Sequence, residues 1–542
     1  MSGMTRAGHL GRNLGERLLN ALTDPARRER AVLVALLGYV ALWTVYAVLA
    51  KGGQDIHADM SEQYVLSREL AWGYPKHPPL AMAIVRVWFA VFPTADWAYY
   101  LLANVTVGLT LWIVWRLSAR YLDGEKRVVG LALLTFVPFF NFHALKFNAN
   151  TILMPLWAAT TLWFLRSFES RRVLDAALAG LSAAAAMYGK YWSVFLLLGL
   201  GAAALVDQRR AAYFRSPAPW VTIAVGALAL APHIAWLIAN DFAPFSYALD
   251  VHRSESFAST LRGALGYLAA AVAYLAVPLV VLFLAARPGR AALADMVWPA
   301  APERRLAAIA FWAVLLGPAL VAPFARVGLV SIWSMSAWTL LPVVLLSSPL
   351  VAIARRDAAR ILVLAVAFPL VMTALAPAIA FSLHRAGLHP GTTHSSVLVG
   401  PIEELWRETS DQPLRVFAGF DEFTDGVSFY MPNHPRAAHV VDRVGSQVDE
   451  AYISRDGAVL LCPARPRNLA FAIPCRNVLL KRAMCSPQGK RKEIEVSRRF
   501  LGVEGRRERY LLITIPPRGA QQLTSLRTPV AEYAAAHFAA VE

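Results

Sequence analysis

The chain is short of charge and of cysteine. Charged side chains make up 16% of its 542 residues, where a soluble protein carries roughly 25%. That deficit excludes an ordinary soluble globule. Cysteine occurs only as Cys462, Cys475 and Cys485, too few for a disulfide-stapled scaffold. No pair of histidines lies near them, so the spacing does not suggest zinc. The count allows one disulfide with a thiol left over, or three free thiols. No small-residue cleavage site follows the first apolar run, which therefore reads as an anchor. No repeat of fixed period is visible.

What stands in place of charge is hydrocarbon. The chain is 57% hydrophobic with a mean hydropathy of +0.45. A membrane span needs roughly 20 mostly apolar residues, and about eleven segments meet that rule. They lie near 31–50, 98–118, 128–145, 151–166, 174–189, 191–207, 219–239, 263–286, 305–325, 328–352 and 360–383. The apolar segment 80–93 is too short to span and reads as a helix lying at the interface. Residues 390–542 are polar, and alternating runs at Arg415–Phe420, Ala458–Cys462 and Tyr510–Ile515 read as short strands. Turn signals at 431–435 and 485–490 separate them. The expected fold is mostly α: a cytoplasmic arm over 1–30, a polytopic helical bundle over 31–383 with a first outer loop 51–97, and a small α/β domain over 390–542.

The net charge of +17 invites a nucleic-acid reading. Its placement argues against one. Arg6, Arg12, Arg17, Arg27, Arg28 and Arg30 fill the N-terminal arm. Every second loop is basic too: Arg116–Arg127, Arg166–Arg172, Arg209–Arg215, Arg287–Arg305 and Arg355–Arg360. With the span count above, all of these fall on one face, which the positive-inside rule makes cytoplasmic. There they set topology and meet anionic lipid; no nucleic-acid partner is expected. The loop 51–97 and the tail then lie on the outer face of what would be a bacterial inner membrane.

Polar chemistry concentrates on that outer side. Asp55 to Leu80 is the densest stretch, rich in carboxylates, aromatics and basic groups. Asp55 and Asp59 are four residues apart and share a face if the segment is helical. A carboxylate held among aromatics near lipid can serve as a general base; solvated loop acids are the plainer alternative. In Lys76-His77-Pro78-Pro79-Leu80 the double proline fixes a corner that can offer Lys76 and His77 to an anion, or simply start an interfacial helix. Lys190, in Tyr188-Gly189-Lys190-Tyr191-Trp192, interrupts a long apolar stretch. An ionisable group there is a site candidate by default, or a snorkelling lysine. Asn148 and Asn150 occupy a short outer loop, and Asn240–Phe257 combines aromatics with His252 and Arg253.

Together these segments resemble the GT-C membrane glycosyltransferases of families 39 and 83. That group includes protein O-mannosyltransferases, lipid A aminoarabinose transferases and Rhizobium-type galacturonosyltransferases. The resemblance is strongest from Asp59-Met60-Ser61-Glu62-Gln63-Tyr64 through Trp72-Gly73-Tyr74 to His77-Pro78-Pro79-Leu80. Met60 stands where the family usually has Glu. Gly189-Lys190-Tyr191 is similar to the family's Ser-Lys-Tyr segment. Asn148-Ala149-Asn150-Thr151 falls where many relatives carry an acid. Pro232 to Arg253 is similar to the family's Trp-rich segment, and Gly426 to Pro432 to its outer domain. The resemblance implies a polyprenyl-phosphate sugar donor, and an envelope lipid, glycan or protein as acceptor. It implies Asp59 as general base, with Asp55 the competing acid, and inversion at the anomeric carbon. Lys190, with Lys76 or His77 and Arg253, would stabilise the departing phosphate; Tyr191, Asn148, Asn150 and His252 would line the substrate site. No cofactor is fixed, and a divalent metal is compatible. A transporter or flippase of a lipid-linked substrate is the alternative, and a non-catalytic scaffold a third reading. Clustering of polar groups at the outer surface, not at a midplane between repeats, favours the enzyme.

Overall fold

The structure is a computed structural model that describes residues 14–254, 256–387, 394–419, 421–439, 450–464 and 489–517. Arg6, Arg12, Cys475 and Cys485 lie outside the described residues, and Cys462 is disulfide-bonded. The chain divides into two compact units. One holds Met1–Gly52 and Leu66–Ser382, the other Gly53–Val65 and Leu383–Glu542. The sequence placed the whole loop 51–97 with the helical bundle; its first part, Gly53–Val65, clusters with the C-terminal unit instead.

Backbone polar groups in lipid must bond within their own segment, so apolar runs of this length become helices. Among the described residues five are long and apolar enough to cross a membrane: Arg28–Ala50, Asp96–Ser118, Ala218–Ala239, Pro302–Ala325 and Arg355–Ala386. Two further spans are bent pairs. Gly124–Leu134 and Pro138–Leu145 meet at 80°, and Phe257–Tyr274 and Ala276–Ala286 at 47°. Pro138 opens a 3₁₀ turn at the first break, where a proline cannot continue the preceding ladder. The expected span 328–352 is likewise broken into two 3₁₀ turns, Ser331–Ser334 and Ala337–Leu340, and a short helix, Leu341–Leu346. Shorter apolar helices include Leu80–Val91 and Val173–Gly189. The helices Val173–Gly189 and Ala218–Ala239 touch backbone to backbone: a Cβ on Gly180 would stand 2.5 Å from the Thr222 carbonyl oxygen. Small residues at such crossings let transmembrane helices approach closely.

The second unit is built on a five-stranded sheet of order β2-β1-β3-β7-β4. Its strands are β1 Val416–Gly419, β2 Arg436–His439, β3 Ala458–Pro463, β4 Arg491–Val496 and β7 Glu508–Ile515. β5 Arg499–Phe500 and β6 Val503–Glu504 form a separate ribbon. β1 pairs parallel with β2 and β3, and β7 runs antiparallel between β3 and β4. Alternate side chains feed two cores. Phe417, Val459, Leu461 and Leu512 pack with Leu398, Ile402 and Trp406 of the helix Ser395–Arg407 on one face. Val416, Leu460 and Ile513 pack with Ile453 on the other. The three runs read as strands in the sequence are β1, β3 and β7.

Candidate active site

In the helical unit the chain brings Lys190 and Asn150 together. Asn148 caps the helix Ala149–Ser170: its side-chain oxygen accepts from the N–H groups of Asn150 and Thr151, at 2.9 and 3.3 Å. That cap fixes the start of the helix and with it Asn150. Across from it, the helix Val173–Gly189 ends and Lys190 takes extended backbone. The Lys190 ammonium donates to Asn150 Oδ1 at 2.7 Å and lies 5.1 Å from the centre of the Trp333 ring.

Aromatic side chains line this spot. Trp333 stands 4.7 Å from Trp192 and meets His252 edge-on at 4.9 Å. His252 is held by a backbone clasp, in which Gly328 N–H donates to the His252 carbonyl and Ser254 N–H to that of Arg326. Burial first, and then the Lys190 charge, push the His252 imidazole below its ordinary range. Tyr191 stacks on His233 and shares a 2.9 Å hydrogen bond with its Nε2. His233 Nδ1 is 2.6 Å from the Trp72 carbonyl. A carbonyl only accepts, so Nδ1 carries the proton, Nε2 accepts, and the Tyr191 hydroxyl is the donor. Trp236, stacked on His233, covers Gly73 closely: a Cβ there would fall 2.3 Å from its ring. The aromatic loop Trp72–Gly73 is thus tied to the helix Ala218–Ala239.

The other candidates of this unit sit apart from Lys190 in their contacts. Lys76 lies over the Tyr247 ring at 5.9 Å. The His77 carbonyl closes the proline corner by accepting from Tyr74 N–H at 3.0 Å. Arg253 is exposed and joins the clasp through its backbone bridge to Val327. His233 and Trp333 were not singled out from sequence. An imidazole inside an apolar span is a signal for the first; nothing local marks the second.

The C-terminal unit holds the two acids, and it distinguishes them. Asp55 is 2% exposed. Its carboxylate accepts from Ser396 Oγ at 2.6 Å and Ser396 N–H at 3.1 Å, and is paired with Arg498. Asp59 is half-buried in the first turn of the helix Ala58–Ser67. The helix N-terminus favours its charge, and its Oδ1 stands 3.4 Å from His57 Nδ1. The far end of that helix is anchored by Tyr64, edge-on to Phe429 and to His434. Ile56 N–H donates to the Tyr430 hydroxyl at 2.8 Å. The Gly426–Pro432 segment is therefore the seat of the acid-bearing helix.

Among the described residues no group of three or more His, Cys, Asp or Glu side chains is placed to hold a metal. Asn150 offers only a neutral amide, and its oxygen already accepts from a cation, Lys190. This donor set does not fit a divalent ion.

Residues 76–236 match the family described as dolichyl-phosphate-mannose-protein mannosyltransferase. No curated protein matches the chain. Among solved structures, ArnT from Cupriavidus metallidurans bound to undecaprenyl phosphate is similar, with a TM-score of 0.57 and 12% identity over 92% of this chain and 99% of that one. The apo state of the same protein gives a TM-score of 0.53 and 11% identity over 89% of this chain and 100% of that one. The chain therefore has the GT-C fold of ArnT, and the family match lies within its helical unit.

Proposed function

We propose that this protein transfers a sugar from a polyprenyl-phosphate donor to a hydroxyl of an envelope lipid, glycan or protein. The observation that carries the reading is the Lys190 ammonium fixed on Asn150 within an aromatic enclosure. That is a preorganised positive charge in apolar surroundings, suited to a phosphate leaving group. The ArnT structure with undecaprenyl phosphate supports a donor of that class.

The acceptor hydroxyl attacks the anomeric carbon. A new C–O bond forms, the bond from that carbon to the phosphate oxygen breaks, and the electron pair leaves with the lipid phosphate. In-line displacement inverts the anomeric centre. Asp59 takes the acceptor's proton: it is half-buried at the start of its helix, whereas Asp55 is buried and engaged by Arg498 and Ser396. Lys190 meets the charge on the departing phosphate, and the neutral His252 beside it keeps the local positive charge on the lysine. Lys76 and His77 hold the donor's headgroup. The N-terminus lies in the cytoplasm and transfer occurs at the outer face of the inner membrane.

The test is Asp59→Asn in purified protein, given a radiolabelled polyprenyl-phosphate sugar and an envelope extract as acceptor. Loss of a general base lowers turnover about 10²–10⁴-fold, with a wild-type melting midpoint. Full activity in Asp59→Asn overturns the assignment of the base. Binding of the labelled lipid without transfer, in wild-type protein as well, favours a transporter.

A further inference from the structure

A basic cavity lies wholly within the C-terminal unit. It is a small cleft lined by His384, His394, Arg498 and Arg506, with Gln54 and three glycines, Gly53, Gly387 and Gly505. Its carboxylates are already committed. Asp55 is bound by Arg498 and Ser396, and Glu508 pairs with Arg506 Nε at 3.0 Å.

The guanidinium groups are not used up by these pairs. Arg498 is four-fifths buried, yet only its Nη2 bonds among the described residues, to Asp55 and Ser396. Its Nε and Nη1 make no hydrogen bond there. Arg506 commits Nε alone, which leaves both terminal nitrogens. A buried guanidinium with open N–H groups is costly unless a ligand completes it. His384 is 6% exposed, and its Nε2 is 3.1 Å from the Val503 carbonyl. A carbonyl only accepts, so Nε2 carries the hydrogen and this bond fixes the ring at the wall of the cleft. Gly505 admits no side chain: a Cβ there would stand 2.7 Å from the His384 ring. The turn at Gly505 therefore lies directly on the imidazole.

We infer that this cleft binds a phosphate group. A phosphate offers several acceptor oxygens, and paired guanidinium forks match it bidentately. The cleft's position names the kind of molecule. Leu383 and His384 belong to the last turn of the 32-residue helix Arg355–Ala386, which is long and apolar enough to cross a membrane. The end of such a helix lies at headgroup level. The phosphate is that of a lipid headgroup, with free phosphate the other source of the same chemistry.

The experiment follows the melting midpoint of the full-length protein in nanodiscs of digalactosyldiacylglycerol, a lipid that carries no phosphate. Inorganic phosphate is titrated at constant ionic strength, and separate discs contain one-fifth phosphatidylglycerol. Binding to the folded state raises the midpoint, by roughly 2 °C or more near saturation. Arg506→Gln, at a largely exposed side chain, reduces that rise to less than half. Arg499→Gln, an exposed arginine outside the cleft, retains it. A rise in phosphatidylglycerol discs to which phosphate adds nothing assigns the site to a lipid. A rise with phosphate alone assigns it to the soluble anion. No rise with either probe, or the same rise in Arg506→Gln, overturns the site. Because sugar transfer is not measured, failure here leaves the transferase reading standing.

Discussion

On the proposed reading, Lys190 is the residue that meets the leaving phosphate. Its partner Asn150 is 40 positions away and its aromatic cover, Trp333, comes from a broken helix much further on. Lys190→Ala removes a preorganised charge, and a loss of about 10²-fold in kcat/KM for the donor is expected. Affinity for the acceptor should stay within about twofold. Equal losses for both substrates would reduce Lys190 to a structural snorkel. His252 gives a pH signature. Its pKa is lowered by burial and then by Lys190, so the unfolded chain binds a proton that the folded one resists. Stability is therefore whole above the ordinary imidazole pKa of about 6.5 and falls as pH drops below it. Melting midpoints between about pH 7.5 and 5 should decline more steeply for wild type than for His252→Gln. Parallel declines would remove His252 from the site's electrostatics. Lys190 and Asp59 stand out in sequence as candidates, because a charge breaking an apolar run and an acid opening an aromatic loop are local signals. Trp333 and the Asp55–Arg498 pair do not. Their meaning lies in partners 141 and 443 residues away, Trp192 and the arginine itself.

At the level of elements, apolar length was the readable quantity and straightness was not. The segments 128–145 and 263–286 read as single spans, but they bend by 80° and 47°. Composition does not reveal which way a helix turns once its ladder breaks. Helix contacts were equally hidden. Gly180 looks like any glycine of an Ala-rich helix, yet the neighbouring backbone leaves no room for a Cβ. Gly201, also in an apolar helix, has nothing within 4 Å of a Cβ. Gly180→Leu should force the two helices apart and lower the midpoint by several degrees, at about 1–3 kcal/mol of overpacking. Gly201→Leu should leave it unchanged. Thermal melts in one detergent decide this, and equal effects would mean that the helices adjust freely.

For the whole molecule, the division into an apolar bundle and a polar α/β unit could be read from composition, as could three of the sheet's strands. That Gly53–Val65 belongs to the distant unit could not, since nothing in a thirteen-residue loop announces its partners. Topology is the prediction at this scale. A phosphatase reporter fused at Glu542 should be active and a cytoplasm-dependent fluorescent reporter there dark. The reverse pattern would invert the molecule in its membrane. The placement of Asp59 also sets a clock. Its helix leaves the ribosome early, but the groups that seat this segment, Ser396, Tyr430 and Arg498, lie 341, 374 and 443 residues downstream of their partners. At roughly 5–20 residues per second, ribosomes need about 20 to 90 seconds to deliver the last of them. For that interval the segment that carries both acids lacks the partners that seat it. A chain interrupted before residue 498 therefore carries Asp55 without the ion pair that holds it.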